Sequence, residues 1–305
     1  MRFSKQLKTI VIYVVLALIL GLFADYIHEN KVVVNELKHL NPWLILVLLL
    51  GYGLMLLILM GIYNAILSLS AKPLKAKENL LLSIYSTLTN FFMPLQSGIG
   101  VRAAYVKRKH HVAVSSYIMS TLIYFAIYAV LSSIILFATG RYILLILPGV
   151  ASVVIVSFLV LRLAGKHFER QRKLIKLDLS REKIIRLILF TIAQIALQAI
   201  IYFIELKEVS GSINPLRAIS YTGAANFSLF VALTPGAIGF REAFLAIAHR
   251  LHGFSNAQIL AANVIDRGVF LIFIVSLFVI MLVTHAKARF SGSTQAETKS
   301  DNSYS

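Results

Sequence analysis

The chain has no cysteine among its 305 residues, which excludes disulfide frameworks, thiolate nucleophiles and cysteine-ligated zinc or iron–sulfur centres. Charge is also scarce, with Asp, Glu, Lys and Arg making up 14% of the sequence, where a soluble domain carries roughly 25%. Acids are the scarcest part: 13 Asp+Glu stand against 30 Lys+Arg, a formal net charge of +17. Also absent are a GxGxxG turn after a strand, a P-loop lysine, a His-Glu-x-x-His pair and a nucleophile elbow. What fills the chain is apolar, 58% hydrophobic residues with a mean hydropathy of +0.81. On a soluble protein such a basic excess points to nucleic acid; on an apolar one it marks cytoplasmic loops and anionic headgroups. The composition is that of an all-α integral membrane protein, with lipid rather than nucleic acid as the expected partner.

Crossing ~30 Å of hydrocarbon takes about 20 helical residues. Six stretches qualify: Thr9–Ala24, Pro42–Ala71, Val112–Gly140, Tyr142–Leu161, Leu187–Ile204 and Gly268–Thr284, the last extending back through Ile259–Val264 if Asp266 and Arg267 lie in the membrane. Met1–Ala24 lacks a small-x-small cleavage site and reads as an uncleaved helix rather than a signal peptide. Two further stretches, Asn79–Val101 and Ala218–Phe240, each end in a Pro/Gly-rich break followed by an arginine. The arm from Asn79 to Met93 is 15 residues, about 22 Å of helix and short of a crossing. Both stretches are expected to be re-entrant hairpins.

With six spans and two hairpins, 21 of the 30 basic residues fall inside, 6 outside, and Arg102, Arg241 and Arg267 within the membrane. Treating Asn79–Val101 as a full crossing would instead put the loop 162–186, with nine basic residues, outside, against the positive-inside rule. The termini are therefore expected in the cytoplasm of a cell (inner) membrane protein. Leu174, Ile175, Leu177 and Leu179 interleave with the charges of that loop, as in an amphipathic segment resting on anionic lipid.

The sequence also repeats itself weakly. Ile99-Gly100-Val101-Arg102-Ala103-Ala104 is echoed in the second half of the chain by Ile238-Gly239-Phe240-Arg241-Glu242-Ala243; Asn90-Phe91 is echoed by Asn226-Phe227, and Pro94 by Pro235. Each half, about 1–140 and 141–289, reads helix, helix, hairpin, helix. Three crossings per half invert the second half relative to the first, the arrangement of alternating-access carriers. Residues 290–305 are expected to form a disordered cytoplasmic tail after a single membrane domain, 1–289.

The hairpin turns carry a resemblance. Asn90 and Pro94-Leu95-Gln96-Ser97-Gly98-Ile99-Gly100-Val101-Arg102 resemble the N…P-x-x-x-G-E-x-x-R signature of the lysylphosphatidylglycerol synthase transmembrane (flippase-domain-like) family. Thr234-Pro235-Gly236-Ala237-Ile238-Gly239-Phe240-Arg241-Glu242-Ala243 is similar to its second signature, P-G-G-x-G-x-R-E-A, and Arg267 falls where the family tends to carry an arginine. Ile99 stands where the first motif usually has Glu, and Ala237 where the second has Gly. The resemblance implies translocation of a lipid or lipid-linked sugar. Larger relatives add a cytoplasmic aminoacyl-transfer domain; after Arg289 only a short polar segment follows here, so lysyl transfer is not expected.

Five charges are placed at membrane depth: Arg102, Arg241, Glu242, Asp266 and Arg267. Such residues face a cavity or pair with one another. The plain reading braces Arg241 with Asp266, or Glu242 with Arg267. The functional reading uses the breaks at Pro94, Gly98 and Gly100 and at Pro235, Gly236 and Gly239, each starting a short helix whose N-terminus favours an anion. With the arginines, and with Asn90 and Asn226, they would form a phosphate or headgroup site near the midplane. Gln194, Gln198 and Tyr202 recur on one helix face and Ser120, Tyr124 and Tyr128 on another, as lining of a wet interior or as interhelical hydrogen-bond glue. His110-His111, after Lys107-Arg108-Lys109, reads as a solvated basic edge, and no metal site or cofactor is expected.

The leading expectation is a flippase-like transporter of a phospholipid or lipid-linked sugar. The alternatives are a membrane-embedded transferase on lipid-linked substrates and a non-catalytic partner of a lipid synthase or glycosyltransferase.

Overall fold

The computed structural model describes residues 40–93, 96–137, 177–228 and 240–301. The expected spans Thr9–Ala24 and Tyr142–Leu161, most of the basic loop, and Pro94, Pro235, Gly236 and Gly239 lie outside these residues. Every regular element among them is helical: α1 Pro42–Ser68, α2 Ala76–Phe92, α3 Gly98–His110, α4 Val114–Leu136, α5 Arg181–Ser210, α6 Pro215–Ser228, α7 Phe240–Ile247, α8 His249–His252 and α9 Asn256–Asp301. Four are long and apolar enough to cross a membrane: α1, α4, α5 and the Asn256–Met281 part of α9.

The helix starts follow from local chemistry. Asn41 accepts the Trp43 amide at 3.0 Å and Pro42 occupies the first turn of α1, where its missing N–H is no loss. Asn214 and Pro215 open α6 in the same way, the Asn214 side chain accepting from the Leu216 amide at 2.9 Å. At α9, Ser255 and Gln258 form a reciprocal capping box: each side chain accepts the other's amide. The backbone of α9 continues through the polar segment from 290 to Asp301. Ala, Gln, Glu and Lys in that polar segment are good helix formers.

Helix starts recur along the chain. α1 and α5 begin at positions 42 and 181, and α2 and α6 at 76 and 215, the same offset in both pairs. α4 and α9 begin at 114 and 256, an offset three positions longer. The stops recur too, since the left-handed residues His111 (φ 55°) and Gly253 (φ 74°), separated by that longer offset, terminate α3 and α8.

Packing puts α9 against α1, α2, α5 and α7, while α4 runs against α5 and α6. α9 is the most enclosed of the four long helices and α1 the least. Outward faces carry Trp43, Leu46, Leu50, Leu54 and Leu57 on α1 and Ile185, Leu189, Ile192 and Ile200 on α5, all exposed. Contiguous apolar stripes of that kind are lipid-facing surface. α2 and α3, 17 and 13 residues long, pack on each other as a helical hairpin, as do α6 and α7.

Close approach sets the hairpin geometry. A Cβ on Gly98 would lie 2.5 Å from the Ser86 carbonyl oxygen and would also strike the Ser86 hydroxyl. Gly223 meets the α4 backbone at Leu136 equally tightly, and Ser220 Oγ donates to the Leu136 carbonyl at 2.5 Å. Small residues at helix crossings let backbones approach, as membrane packing favours.

Candidate functional site

Two arginines sit on the short hairpin arms, each lying over a tyrosine. Arg102, in α3, is 4% exposed. Its guanidinium carbon is 3.7 Å from the Tyr63 ring centroid, Nε donates to Tyr117 Oη at 2.9 Å, and Nη1 donates to Ser86 Oγ. Among the described residues no carboxylate pairs with it. Tyr63, Ser86 and Tyr117 come from α1, α2 and α4, so three helices converge on one cation.

Arg241, in α7, occupies the corresponding place in the second half, with its guanidinium carbon 4.9 Å from the Tyr202 ring centroid. Tyr63 and Tyr202 stand at the same offset as Arg102 and Arg241. The surroundings differ, however. Nη1 of Arg241 forms an ion pair with Asp266 Oδ2, which is the bracing anticipated between hairpin and last helix. Asp266 Oδ1 accepts from Tyr52 Oη at 2.5 Å, and that hydroxyl is 3.5 Å from Glu205 Oε1. Arg241 Nε and Nη2 are buried with no hydrogen-bond partner among the described residues.

Glu205 is the residue that sequence reading misses. It is 1% exposed, yet it lies just beyond the uncharged stretch Leu187–Ile204 and so falls outside the run read as membrane-embedded. The usable signal is periodicity, because Gln194, Gln198, Tyr202 and Glu205 fall on one face of α5. That stripe meets the one on α4: Tyr124 Oη donates to Gln194 Oε1 at 2.8 Å and Tyr128 Oη to Gln198 Oε1 at 3.1 Å. The pairs are interhelical glue, aligned between the two arginine sites.

The other expected site residues are distributed as follows. Asn90 clasps the first hairpin, its Oδ1 accepting the Gly98 amide at 2.7 Å, so one helix-start donor of α3 is already satisfied. Asn226 is buried and donates to Ser132 Oγ of α4 at 3.2 Å, while its own Oδ1 has no partner among the described residues. Gly100 is exposed, with open space around its would-be Cβ. Arg267 is half-buried beside Asp266; it is Asp266 that meets α7. Glu242 falls on α7, and its side chain lies outside the described residues.

The basic edge is more organised than a solvated one. Glu78 accepts from Tyr105 Oη at 2.6 Å and contacts His110 Nε2 at 2.7 Å and Lys109 Nζ at 3.0 Å. The Tyr105 hydrogen bond, followed by those of His110 and Lys109, holds the Glu78 carboxyl down at about 2. At the far end of the second hairpin, burial drives His252 down to about 4. Its Nδ1 accepts the Phe254 amide at 3.1 Å, which leaves Nε2–H to donate to the Leu245 carbonyl at 3.0 Å. Among the described residues no group of His, Asp and Glu is arranged to hold a metal.

Residues 9–277, nearly the whole chain, match the family described as the lysylphosphatidylglycerol synthase TM region. The chain belongs to that family. It finds no match among the curated proteins. For this member of the lysylphosphatidylglycerol synthase TM family, the Ile99 departure leaves α3 without a carboxylate close to Arg102 in sequence, and the acids stand instead on α5 and α9, at Glu205 and Asp266.

Proposed function

We propose that this chain is a flippase-like carrier that moves an anionic lipid, a phospholipid or a polyprenyl-phosphate-linked sugar, between the leaflets of the cell's inner membrane. In this reading six helices span the bilayer, both termini are cytoplasmic, and two re-entrant hairpins (α2–α3 and α6–α7) enter from opposite faces as inverted halves. The matched offsets of the helix starts support the duplication, and broken helices meeting near the midplane are where carriers of that architecture bind their cargo.

The observation that carries the proposal is Arg102. A guanidinium at membrane depth costs at least ~2.5–3.5 kcal/mol on insertion scales, and here it is surrounded by Tyr63, Ser86 and Tyr117 with no described carboxylate to offset it. Hydroxyls and a ring face solvate a cation without neutralising it, and neutralisation is what an arriving phosphodiester would supply. The cargo is therefore the missing counter-ion. A lipid synthase or glycosyltransferase that makes or uses the lipid is the natural partner.

Reconstitution into liposomes with headgroup-labelled phosphatidylglycerol tests the proposal. Leaflet exchange is expected with the wild-type chain and should fall at least about tenfold, the equivalent of 1.4 kcal/mol, in Arg102→Gln that still elutes and melts as a folded protein. Undiminished exchange in that variant refutes the Arg102 site, and conversion of the lipid to a new species would assign a transferase instead.

A further inference from the structure

Two carboxylates and one guanidinium meet where α1, α5, α7 and α9 converge. Asp266 and Glu205 are 8% and 1% exposed. Tyr52 has a single hydroxyl hydrogen, and its 2.5 Å contact directs that hydrogen to Asp266 Oδ1. Glu205 Oε1, 3.5 Å from the same hydroxyl, thus faces a lone pair. That contact is attractive only when Glu205 carries a proton and donates it to Tyr52 Oη. Charge balance agrees: among the described residues no Lys, Arg or His pairs with Glu205. Two ionised carboxylates against one arginine would leave a net buried charge.

A second observation concerns Arg241. Asp266 holds only its Nη1, and the Nε and Nη2 atoms are buried without a partner among the described residues. Those two nitrogens form the side edge of the guanidinium, whose parallel N–H groups fit two oxygens of a phosphate.

We propose that Tyr52, Glu205 and Asp266 form a proton-binding site coupled to anion binding on the free edge of Arg241, so that each monoanionic headgroup moves together with one proton. At rest the site sums to zero: Arg241 is cationic, Asp266 anionic and Glu205 neutral. A phosphodiester docking on Nε and Nη2 adds one negative charge. Neutrality returns when one proton from the aqueous phase adds to Asp266 Oδ2; an O–H bond forms and the Arg241–Asp266 ion pair is given up, so the guanidinium passes to the phosphate. Release of the lipid reverses both steps, and nothing is oxidised or reduced. Tyr202 and Tyr221 face the site from α5 and α6, and Arg267 follows Asp266 on α9; Tyr128 of α4 and His252 of α8 border the tyrosines. Among the described residues no carboxylate pairs with Arg102, so an anion bound there meets no such proton acceptor. The inference rests on the anionic-lipid reading above.

Infrared spectroscopy of the full chain in nanodiscs tests the proton site without requiring transport. At neutral pH the wild type should show the carbonyl stretch of a protonated carboxylic acid that Glu205→Gln removes. Absence of the band, or its survival in Glu205→Gln, overturns the site. Coupling is read from headgroup-labelled phosphatidylglycerol in proteoliposomes under a gradient of one pH unit. One proton per lipid shifts the equilibrium leaflet ratio about tenfold, and Asp266→Asn should abolish the shift. A wild-type ratio that ignores the gradient while lipid still exchanges overturns the coupling. If no lipid exchanges at all, the carrier reading fails and the coupling with it, whereas the band still decides the proton site.

Discussion

The guanidinium of Arg102 lies 3.7 Å from the centroid of the Tyr63 ring, and in the second half of the chain Arg241 lies over Tyr202 in the same relationship. In each case a tyrosine on a long helix stabilises the cation of a hairpin arm. A desolvated cation–π contact contributes about 2 kcal/mol. Tyr63→Leu is therefore expected to lower the melting temperature in detergent markedly, and Tyr63→Phe, which keeps the π face, only slightly. Equal losses in the two variants would show that the ring does not matter.

Asp266 neutralises Arg241 in the resting state. Removing one member of a buried pair costs about 3–5 kcal/mol because the other is left uncompensated. Asp266→Ala should show that loss in equilibrium unfolding, and Arg241→Leu combined with Asp266→Leu should recover much of it. A double variant as unstable as the sum of its single changes would refute the pairing.

Gly98 has no room for a methyl group between α3 and Ser86 of α2. Gly98→Ala should destabilise the protein by about 1–3 kcal/mol, as overpacking does, whereas Gly100→Ala, with open space around it, should be nearly neutral. Thermal melting of the two variants side by side checks this contrast.

Acid should weaken the fold in two steps. Burial lowers His252 from 6.5 to about 4, so between those values the unfolded chain takes up a proton that the folded one does not, and stability falls as pH drops through that window. Glu78 is lowered from 4.5 to about 2 by Tyr105, His110 and Lys109; its contribution is complete above 4.5 and is lost as pH falls towards 2. In melting curves against pH, His252→Gln should flatten the upper step alone and Glu78→Gln the lower step alone. A step that persists in its own variant belongs to another group.

The Tyr124–Gln194 and Tyr128–Gln198 bonds join α4 to α5. Interhelical hydrogen bonds in membrane proteins average about 0.6 kcal/mol, so a double-mutant cycle with Tyr124→Phe and Gln194→Leu should return a coupling of that order. A coupling of zero would leave the polar stripes free to line a wet interior instead.

Much of this protein was legible in its sequence. Runs of apolar residues identify helices that belong in lipid, because burying so many consecutive apolar side chains leaves few other places for them. The 15-residue reach from Asn79 to Met93 set α2 apart from the full-length helices, and the echo of Ile99–Ala104 at Ile238–Ala243 matches the recurrence of helix starts. The positions of Arg102 and Arg241 were equally plain, since a charge within an apolar segment is conspicuous.

Only the tertiary structure decided what each arginine meets. Tyr52, Glu205 and Asp266 stand on three different helices, far apart along the chain; nothing local specifies that they converge. Glu205 lies just past the end of an uncharged run and reads as an interfacial residue until α9 and α1 close over it. Asn90, placed by its sequence motif in the headgroup site, holds the Gly98 amide, because the two arms approach within hydrogen-bonding reach. Hydropathy and spacing are one-dimensional and determined the helices and their order. Charge neutralisation depends on distances of a few ångströms between helices, and only packing sets those.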